Sequence, residues 1–304
     1  MRDIPRFPEF KPLELADRPV LHPRIWRHQP KTSELTFGNL YLWRSYYHFE
    51  WSIQDDWLLV VAKEREGGHY ALPPVGPASR ADVTAMLLDW MRDGLNEPRP
   101  RVARAGQRLA DELKDDHRFC VVATRDHFDY IYRTEDLAEL TGRRYSAKRN
   151  HINQFTRYYE YEYQPVTRAL VDECLALAEV WCEQRLCDED LSLQHELSGI
   201  EDVLKHIETL EVDGGAIAVQ GKVQAFALGE LLNETTAVFH VEKANPEFKG
   251  IYPMMTQCYA QRWQGEAAFI NMEQDLGEPG LRRAKESYHP DHLEAKFTVT
   301  LAEH

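Results

Sequence analysis

The polar residues that could perform chemistry are concentrated in one segment, residues 239–290. Carboxylates, amides and basic side chains alternate there with apolar residues, whose spacing is that of strands and helices in a packed core. Glycines and prolines separate these elements. Polar groups held by packed elements are typical of a site built on a rigid scaffold. We therefore expect the function of this chain to reside in residues 239–290.

An acidic cluster is the first feature of this segment. Side chains alternate along a strand, so His240 and Glu242 are predicted to point to one face. If residues 269–275 remain extended, Asn271, Glu273 and Asp275 share a face as well. Carboxylates at the end of a strand can hold a cationic amine, bind a metal or accept a proton.

Anion-binding groups are the second feature. Residues 245–253 end a strand and begin a helix, and the N–H groups at a helix N-terminus attract anions. Gly250 permits close approach, and Lys249 and Tyr252 flank it, so these three residues form a candidate phosphate- or donor-binding site. Downstream basic residues would lower the pKa values of the carboxylates and offer hydrogen-bond donors to carboxylate or phosphate. These are Arg282, Arg283 and Lys285.

Other interpretations of the same residues remain open. Glu273 and Asp275 could pair with the downstream basic residues and only hold the loop at residues 277–280. His240 by itself is more typical of a satisfied core histidine, and the segment has no serine or cysteine nucleophile motif. A metal site has no compact ligand motif to support it, so we predict no metal. Its ligands would be His240, Glu242, His289 and His292.

The elements that must position these groups follow a mixed order. Two helices are predicted over residues 169–187 and 197–210, and three antiparallel strands follow Gly214. A helix over residues 251–263, a strand at 269–272, a helix at 279–286 and a strand at 293–301 complete the chain. The first half contains a loosely similar mixture, which allows a diverged structural repeat. The fold class is therefore α+β, with mixed, mostly antiparallel sheets flanked by helices.

Length and composition set the domain organisation. A chain of 304 residues suits two domains. Residues 1–34 hold six prolines and are predicted to form an extended arm. We place an N-terminal domain at residues 35–160 and a C-terminal domain with the site at residues 161–304.

Charge and hydropathy exclude some classes of protein. The net charge of −14 disfavours a general DNA-binding protein or one that rests on an anionic bilayer. No run approaches the roughly 18 apolar residues of a membrane helix, and the first residues lack the apolar core of a signal peptide. The five cysteines are irregularly spaced, which favours reduced thiols. We therefore expect a cytoplasmic protein.

A basic helix is predicted from Ser146 to about Tyr158, preceded by two arginines. Basic and aromatic residues interleave in it, as in surfaces that bind RNA. A solvated basic helix is the alternative. The candidate tRNA contacts are Arg143, Arg144, Lys148 and Arg149.

Three segments resemble a known family. GRRYSAKRNHINQF, FHVEKANPEFKGIYPMM and INMEQDLGEPGLRRAKESYHP are similar to the cytosolic C-terminal domain of bacterial phosphatidylglycerol lysyltransferases, including its soluble uncharacterised members. The resemblance covers about residues 25–300. It implies two tandem GNAT-like domains of the acyl-CoA N-acyltransferase type, related in shape to the peptidoglycan Fem aminoacyltransferases.

The resemblance also implies a chemistry. The lysyltransferases move an amino acid from aminoacyl-tRNA to a lipid hydroxyl, with both substrates meeting in the C-terminal domain. By this resemblance, Glu273 and Asp275 would hold an ammonium group, and the basic residues would hold phosphate and stabilise an oxyanion. The catalytic candidates are Glu242, Asp275 and Arg282; the substrate-binding candidates are His240, Lys243, Asn271, Glu273, Arg283, Lys285 and Tyr288.

Two departures from the family leave the substrates open. The membrane-spanning part of the lipid enzymes is absent and the charge is acidic. A small molecule is therefore a candidate acceptor beside a lipid. The loop NPEFKGIYP has one glycine where acetyl-CoA enzymes have more, so aminoacyl-tRNA and acyl-CoA both remain candidate donors. We predict an acyl- or aminoacyltransferase of GNAT type. The alternative is a non-catalytic module that binds a nucleotide, an amino-acid-like ligand or RNA.

Overall fold

The computed structural model describes residues 4–64, 67–185 and 191–302. The strands are β1 (Lys11–Pro12), β2 (Glu50–Gln54), β3 (Trp57–Lys63), β4 (His69–Ala71), β5 (Arg101–Gly106), β6 (Phe119–Ala123), β7 (Asp129–Arg133), β8 (Tyr161–Pro165), β9 (Asp213–Val219), β10 (Lys222–Asn233), β11 (Thr236–Ala244), β12 (Phe269–Asn271), β13 (His292–Glu294) and β14 (Lys296–Leu301). The helices are α1 (Arg18–His28), α2 (Phe37–Tyr47), α3 (Ala81–Gly94), α4 (Gln107–Leu113), α5 (Thr134–Glu139), α6 (Ser146–Tyr158), α7 (Val171–Gln184), α8 (Leu191–Lys205), α9 (Ile207–Leu210), α10 (Ile251–Arg262) and α11 (Pro279–Glu286).

These elements form two compact units. The first unit contains residues 1–129, 274–277 and 293–304, and the second contains residues 130–273 and 278–292. This division differs from the predicted boundary at residue 160. β7 pairs with β12 in the second sheet, so β7 and the helices α5 and α6 that follow it belong to the second unit, whereas β14 pairs with β5 in the first sheet. The predicted extended arm also contains α1. Its Leu21 and Ile25, four residues apart, are both buried, so one face of this helix packs despite Pro19 and Pro23.

The two sheets repeat one strand order. The first is β1-β2-β3-β4-β5-β14-β6 and the second, read from its other end, is β8-β9-β10-β11-β12-β7-β13. In both, the fourth and fifth strands are parallel and the pairs before them antiparallel. This supports the diverged repeat that the sequence allows and confirms mixed, mostly antiparallel sheets flanked by helices.

Packing of helix on sheet forms the core of the first unit. Leu87, Leu88 and Met91 of α3 have no exposed surface and pack with Val102 of β5 and Val299 of β14. Burial of a large aliphatic side chain contributes about 1.5–3 kcal/mol. The C-terminal strand is therefore an integral part of the first unit.

The first unit also buries a lysine. Lys296 of β14 has no exposed surface. Its Nζ donates to Asp129 Oδ1 at 2.6 Å, Glu34 Oε1 at 2.7 Å, Gln274 Oε1 at 2.9 Å and Ser33 Oγ at 3.2 Å. The charge is stabilised only because these oxygens replace water.

The structure also tests the predictions about membrane helices and cysteines. In these ranges no helix is both long and apolar enough to cross a bilayer. Cys120, Cys174 and Cys258 are free thiols, but Cys182 is disulfide-bonded, so the prediction of reduced thiols is wrong for Cys182. Cys187 lies outside the described residues.

Candidate functional site

The candidate site lies in the second unit, where two parallel strands part. Thr236–Val238 of β11 pair with Phe269–Asn271 of β12. β12 then ends, whereas β11 continues to Ala244. Beyond that point, no strand in the described part of the chain is paired in parallel with β11, and the side chains of Phe239, Glu242 and Lys243 meet helices instead. Ligands bind at such carboxyl ends of parallel strands in many α/β proteins.

A β-bulge at His240 changes which side chains share a face. Leu228 pairs with Val241 and Gly229 with Phe239, so His240 is the extra residue. Phe239 packs on Tyr259 of α10, and Glu242 accepts a hydrogen bond from Thr256 of the same helix, although they are three residues apart. His240 instead bonds to Glu230 and Glu273. The predicted common face of His240 and Glu242 is therefore wrong, because the bulge breaks the two-residue period.

Glu242 is the centre of the site. The Thr256 hydroxyl donates to its Oε1 at 3.0 Å and lies 3.3 Å from Oε2, and the Tyr288 hydroxyl donates to Thr256 Oγ1 at 3.4 Å. Burial raises the pKa of Glu242 to about 7, although the Thr256 hydroxyl and the Lys285 and Lys148 charges act in the opposite direction. A carboxyl with this pKa can accept and return a proton near neutral pH.

Two lysines lie near this carboxyl. Lys148 Nζ is 3.5 Å from the centroid of the Tyr288 ring, and burial lowers the pKa of Lys148 to about 8. Lys285 donates to the Met272 carbonyl oxygen. The sequence predicts Lys148 as a tRNA contact, but the structure half-buries it over the Tyr288 ring, where its charge acts on Glu242. Its position four residues before the buried Ile152 of α6 is the signal that would have placed it on the inner face.

His240 is held between two carboxylates. Its Nδ1 is 2.9 Å from Glu273 Oε1, and its Nε2 is 3.0 Å from Glu230 Oε1. Burial alone would lower the pKa of His240, but the two carboxylates outweigh it and raise the pKa to about 9. The two carboxylates therefore stabilise the folded state in full below pH 6.5, and this stabilisation is lost as the pH rises through 9. The imidazolium cannot act as a base near neutral pH, and Glu230, which the sequence did not single out, belongs to the cluster.

Glu273 and Asp275 do not form one acidic face. The strand ends at Asn271, whose Oδ1 accepts from the Glu273 N–H at 2.7 Å, and Glu273 has a φ of 57°. Asp275 is fully buried in the first unit, where Arg125 donates to it at 3.3 Å and the Gly277 N–H at 2.9 Å. A carboxylate without exposed surface cannot touch a substrate, so Asp275 is placed for structure and not for catalysis.

Lys243 lies beside a tryptophan. Its Nζ is 3.6 Å from the centroid of the Trp181 ring and 2.8 Å from Glu196 Oε2. Burial lowers its pKa, and Glu196 opposes that effect. Trp181 Nε1 donates to the Tyr252 hydroxyl at 2.9 Å. Trp181 and Glu196 come from α7 and α8, and their role was missed because only tertiary packing brings these helices to β11.

Gly250 has a different role from the predicted one. It precedes α10 with a φ of 90°, and a Cβ at this position would lie 2.2 Å from the His151 carbonyl oxygen of α6. The Ile251 N–H donates to Phe248, and Pro253 has no N–H. The glycine therefore permits α10 to pack on α6, and this helix start offers fewer donors to an anion than the sequence predicts. Lys249 is exposed.

Gly250→Ala should lower the free energy of unfolding by at least about 2 kcal/mol, because it adds a backbone clash to an unfavourable φ. Gly265→Ala is the matched control. Gly265 has a φ of 84°, but no atom lies within 4 Å of the place that an alanine methyl group would occupy, so only the φ cost of roughly 1–2 kcal/mol applies. Urea unfolding measures both. If both variants lose the same free energy of unfolding, the close approach of α6 adds no cost to an alanine at residue 250.

The basic residues of the predicted RNA surface are divided among several contacts. Arg144 pairs with Asp136 at 2.8 Å and is exposed, and Arg143 is exposed. Arg149 donates to the Gly142 carbonyl oxygen at 2.7 Å, where it satisfies a backbone acceptor. Arg282 and Arg283 lie on α11, where Arg282 is half-buried and Arg283 is exposed.

The four residues considered as metal ligands are dispersed. His289 Nε2 lies 3.2 Å from the Arg144 carbonyl oxygen, and His292 Nδ1 lies 2.9 Å from Asp291 Oδ2. Within residues 4–64, 67–185 and 191–302, no three histidine, cysteine, aspartate or glutamate residues are grouped to hold a metal.

The sequence matches the family described as phosphatidylglycerol lysyltransferase, C-terminal, over residues 27–300. A relative of known sequence is an uncharacterised protein of Mycoplasmoides gallisepticum, 22% identical over 177 residues, or 56% of this chain and 55% of that protein. The chain thus spans about half the length of this curated relative.

Two solved structures are similar over nearly the whole chain. A conserved protein of unknown function from Bacteroides thetaiotaomicron is 33% identical, with a TM-score of 0.89 over 96% of this chain and 99% of that one. The C-terminal domain of a putative lysylphosphatidylglycerol synthetase from Agrobacterium fabrum is 12% identical, with a TM-score of 0.68 over 95% and 93%. The predicted fold class is confirmed as two repeated domains, each with a mixed, mostly antiparallel sheet flanked by helices.

Proposed function

Because the chain belongs to the family of phosphatidylglycerol lysyltransferase C-terminal domains, we propose that it is an acyl- or aminoacyltransferase with Glu242 as its general base. The carrying observation is the Glu242 carboxyl, whose pKa is raised to about 7, beside Lys148, whose pKa is lowered to about 8. An acid–base pair poised near neutral pH at a strand end is typical of a catalytic site.

The transfer step follows from these groups. An acceptor hydroxyl or amine attacks the carbonyl carbon of the donor ester or thioester while Glu242 takes its proton. A new C–O or C–N bond forms, and the negative charge on the carbonyl oxygen is stabilised by the Lys148 or Lys285 ammonium. The donor C–O or C–S bond then breaks, and protonated Glu242 returns the proton to the leaving group. Thr256 and Tyr288 hold the Glu242 carboxylate in place.

An aminoacyl donor fits the neighbouring charges. Glu230, Glu273 and the His240 imidazolium together carry one net negative charge, and Glu273 keeps 16% of its side chain exposed. This cluster would attract the ammonium group of an amino acid. The side-chain oxygen of Asn271 accepts a hydrogen bond from the backbone N–H of Glu273 and so helps to orient this residue.

The remaining basic residues suit the donor's phosphates. Arg143, Arg144, Lys249, Arg282 and Arg283 belong to the second unit, and we propose that they contact the backbone of a tRNA. Both candidate donors, aminoacyl-tRNA and acyl-CoA, are cytoplasmic molecules, and we propose a cytoplasmic location. The acceptor would be a lipid headgroup or a small molecule.

Transfer should have a narrow bell-shaped dependence on pH. Activity rises as Glu242 loses its proton near pH 7 and falls as Lys148 loses its proton near pH 8. The measurement is kcat/KM against pH for wild type and Lys148→Met. The variant should be slower and lack the falling limb near pH 8; an unchanged falling limb would remove Lys148 from the reaction.

A scan of donors tests the proposal. Purified protein is given radiolabelled aminoacyl-tRNAs and acyl-CoAs separately, each with lipid and small-molecule acceptors. Label in a product that depends on Glu242 supports transfer. Salt-sensitive retention of tRNA without turnover would instead identify a binding module. No turnover with any donor and no binding would exclude both.

A further inference from the structure

The Thr256 hydroxyl has more acceptors within reach than it has hydrogens. It lies 3.0 Å from Glu242 Oε1, 3.3 Å from Glu242 Oε2 and 3.1 Å from the Tyr252 carbonyl oxygen. Among the described residues, no other group forms a hydrogen bond with the Glu242 carboxyl. A hydroxyl carries a single hydrogen, so Thr256 cannot donate to Glu242 and to Tyr252 at the same time.

The Tyr252 carbonyl is an acceptor that α10 itself supplies. Tyr252 precedes Thr256 by four residues in this helix. A threonine hydroxyl in a helix commonly donates back to the carbonyl oxygen four residues earlier. Thr256 is only 3% exposed, so its hydroxyl is kept from bulk water. Its hydrogen therefore has two alternative positions within the protein, one on Glu242 and one on Tyr252.

The Tyr288 hydroxyl completes the hydrogen bonds of Thr256. It donates to Thr256 Oγ1 at 3.4 Å. Burial raises the pKa of Tyr288 above its ordinary value, so the phenol keeps its proton near neutral pH and stays a donor. A hydroxyl oxygen accepts two hydrogen bonds and donates one. Thr256 therefore retains one acceptor position and its own hydrogen for Glu242 and Tyr252.

We propose that Thr256 is a positioning residue that serves both protonation states of Glu242 by turning its hydroxyl. When Glu242 is ionised, Thr256 donates to the carboxylate. When Glu242 has taken a proton, the carboxyl O–H donates to Thr256 Oγ1, and the Thr256 hydrogen turns to the Tyr252 carbonyl oxygen. The proton stays on Glu242 throughout. The O–O distance of 3.0 Å suits a hydrogen bond in either direction.

Such a partner suits a general base better than a fixed donor. A backbone N–H or an ammonium group can donate to a carboxylate but cannot accept from a carboxyl O–H, so it would leave the protonated form without an acceptor. Thr256 serves both forms, so Glu242 can take and return a proton without movement of the backbone. This inference rests on the proposed role of Glu242 as general base.

Infrared titration of the resting protein tests the inference without any donor or acceptor. Subtracting the spectra of Glu242→Gln isolates the C=O stretching band of protonated Glu242. In Thr256→Val this band should move to higher frequency, because the carboxyl O–H has lost its acceptor. The pKa read from its intensity should rise by about one unit, because a carboxylate loses a stronger hydrogen bond than a neutral acid. Thr256→Ser keeps a hydroxyl and should restore both values.

Thr156→Val is the matched control. The Thr156 hydroxyl lies 3.3 Å from the Asn153 carbonyl oxygen on the exposed side of α6, so this variant removes a helix hydroxyl without a contact to Glu242. Its band and pKa should equal those of wild type. The charged groups that act on Glu242, Lys148 and Lys285, are the same in every variant. If Thr256→Val does not fold by circular dichroism, Thr256→Ala removes the hydroxyl without adding a methyl group and gives the same test.

The outcomes separate this inference from the proposed transfer. An unchanged band and pKa in the folded variant without the hydroxyl would overturn the role of Thr256, and so would a serine variant that behaves like valine. Transfer that depends on Glu242, with the band unchanged in Thr256→Val, would overturn the role of Thr256 alone. A shifted band without transfer from any donor would support the contact and overturn only the role of Glu242 as a base. Where transfer is found, the rising limb of kcat/KM near pH 7 should move up by the same unit in Thr256→Val.

Discussion

Glu242→Gln is expected to lower kcat/KM for transfer by about 100- to 10 000-fold, the usual effect of removing a general base. Glutamine keeps the shape of the side chain and can still accept from Thr256, but it cannot take a proton. The measurement is the rate of product formation under first-order conditions with whichever donor the scan identifies. Glu247→Gln, an exposed position just beyond β11, removes the same charge and should leave the rate unchanged.

The stability of the Glu242 variant separates catalysis from folding. The pKa of Glu242 is raised from 4.5 to about 7 because burial disfavours its charged form. The folded state therefore has the stability of a protonated Glu242 in full below pH 4.5 and loses it as the pH rises through 7. Glutamine does not titrate, so its Tm relative to wild type should increase between pH 5 and pH 8. A variant that is inactive and also much less stable at pH 8 would indicate a structural role for Glu242.

Lys296→Met is expected to cost about 3–5 kcal/mol of unfolding free energy, the largest effect on stability that the structure predicts. The substitution keeps the volume but leaves Asp129 and Glu34 buried without their shared cation. Arg104, which pairs with Glu34 at 3.1 Å, compensates only part of the negative charge. Equilibrium unfolding in urea at pH 7 gives the difference.

Two further variants assign this loss to the buried charge. Lys114→Met removes an exposed lysine that pairs with Asp111 at 3.2 Å, and should cost less than about 1 kcal/mol. Adding Asp129→Asn to Lys296→Met removes one uncompensated carboxylate and should recover part of the stability. If Lys296→Met is no more costly than Lys114→Met, the buried contacts do not stabilise the first unit.

The sequence alone determined the elements of the second unit and the family. The helix predicted over residues 251–263 is α10 at 251–262, and the three strands after Gly214 are β9, β10 and β11. Local periodicity and turn residues specify such elements because each depends on neighbours a few residues away. The motifs that carry the family resemblance are likewise local, and the family match confirms them.

Only the tertiary structure decided which side chains meet. The bulge at His240 turns Glu242 towards α10, and the end of β12 at Asn271 sends Glu273 to His240 while Asp275 is buried elsewhere. Lys148 reaches the site because α6 packs on α10, with Gly250 at the contact. Each outcome depends on strand register or helix packing between residues distant in the chain, which alternation and spacing do not encode.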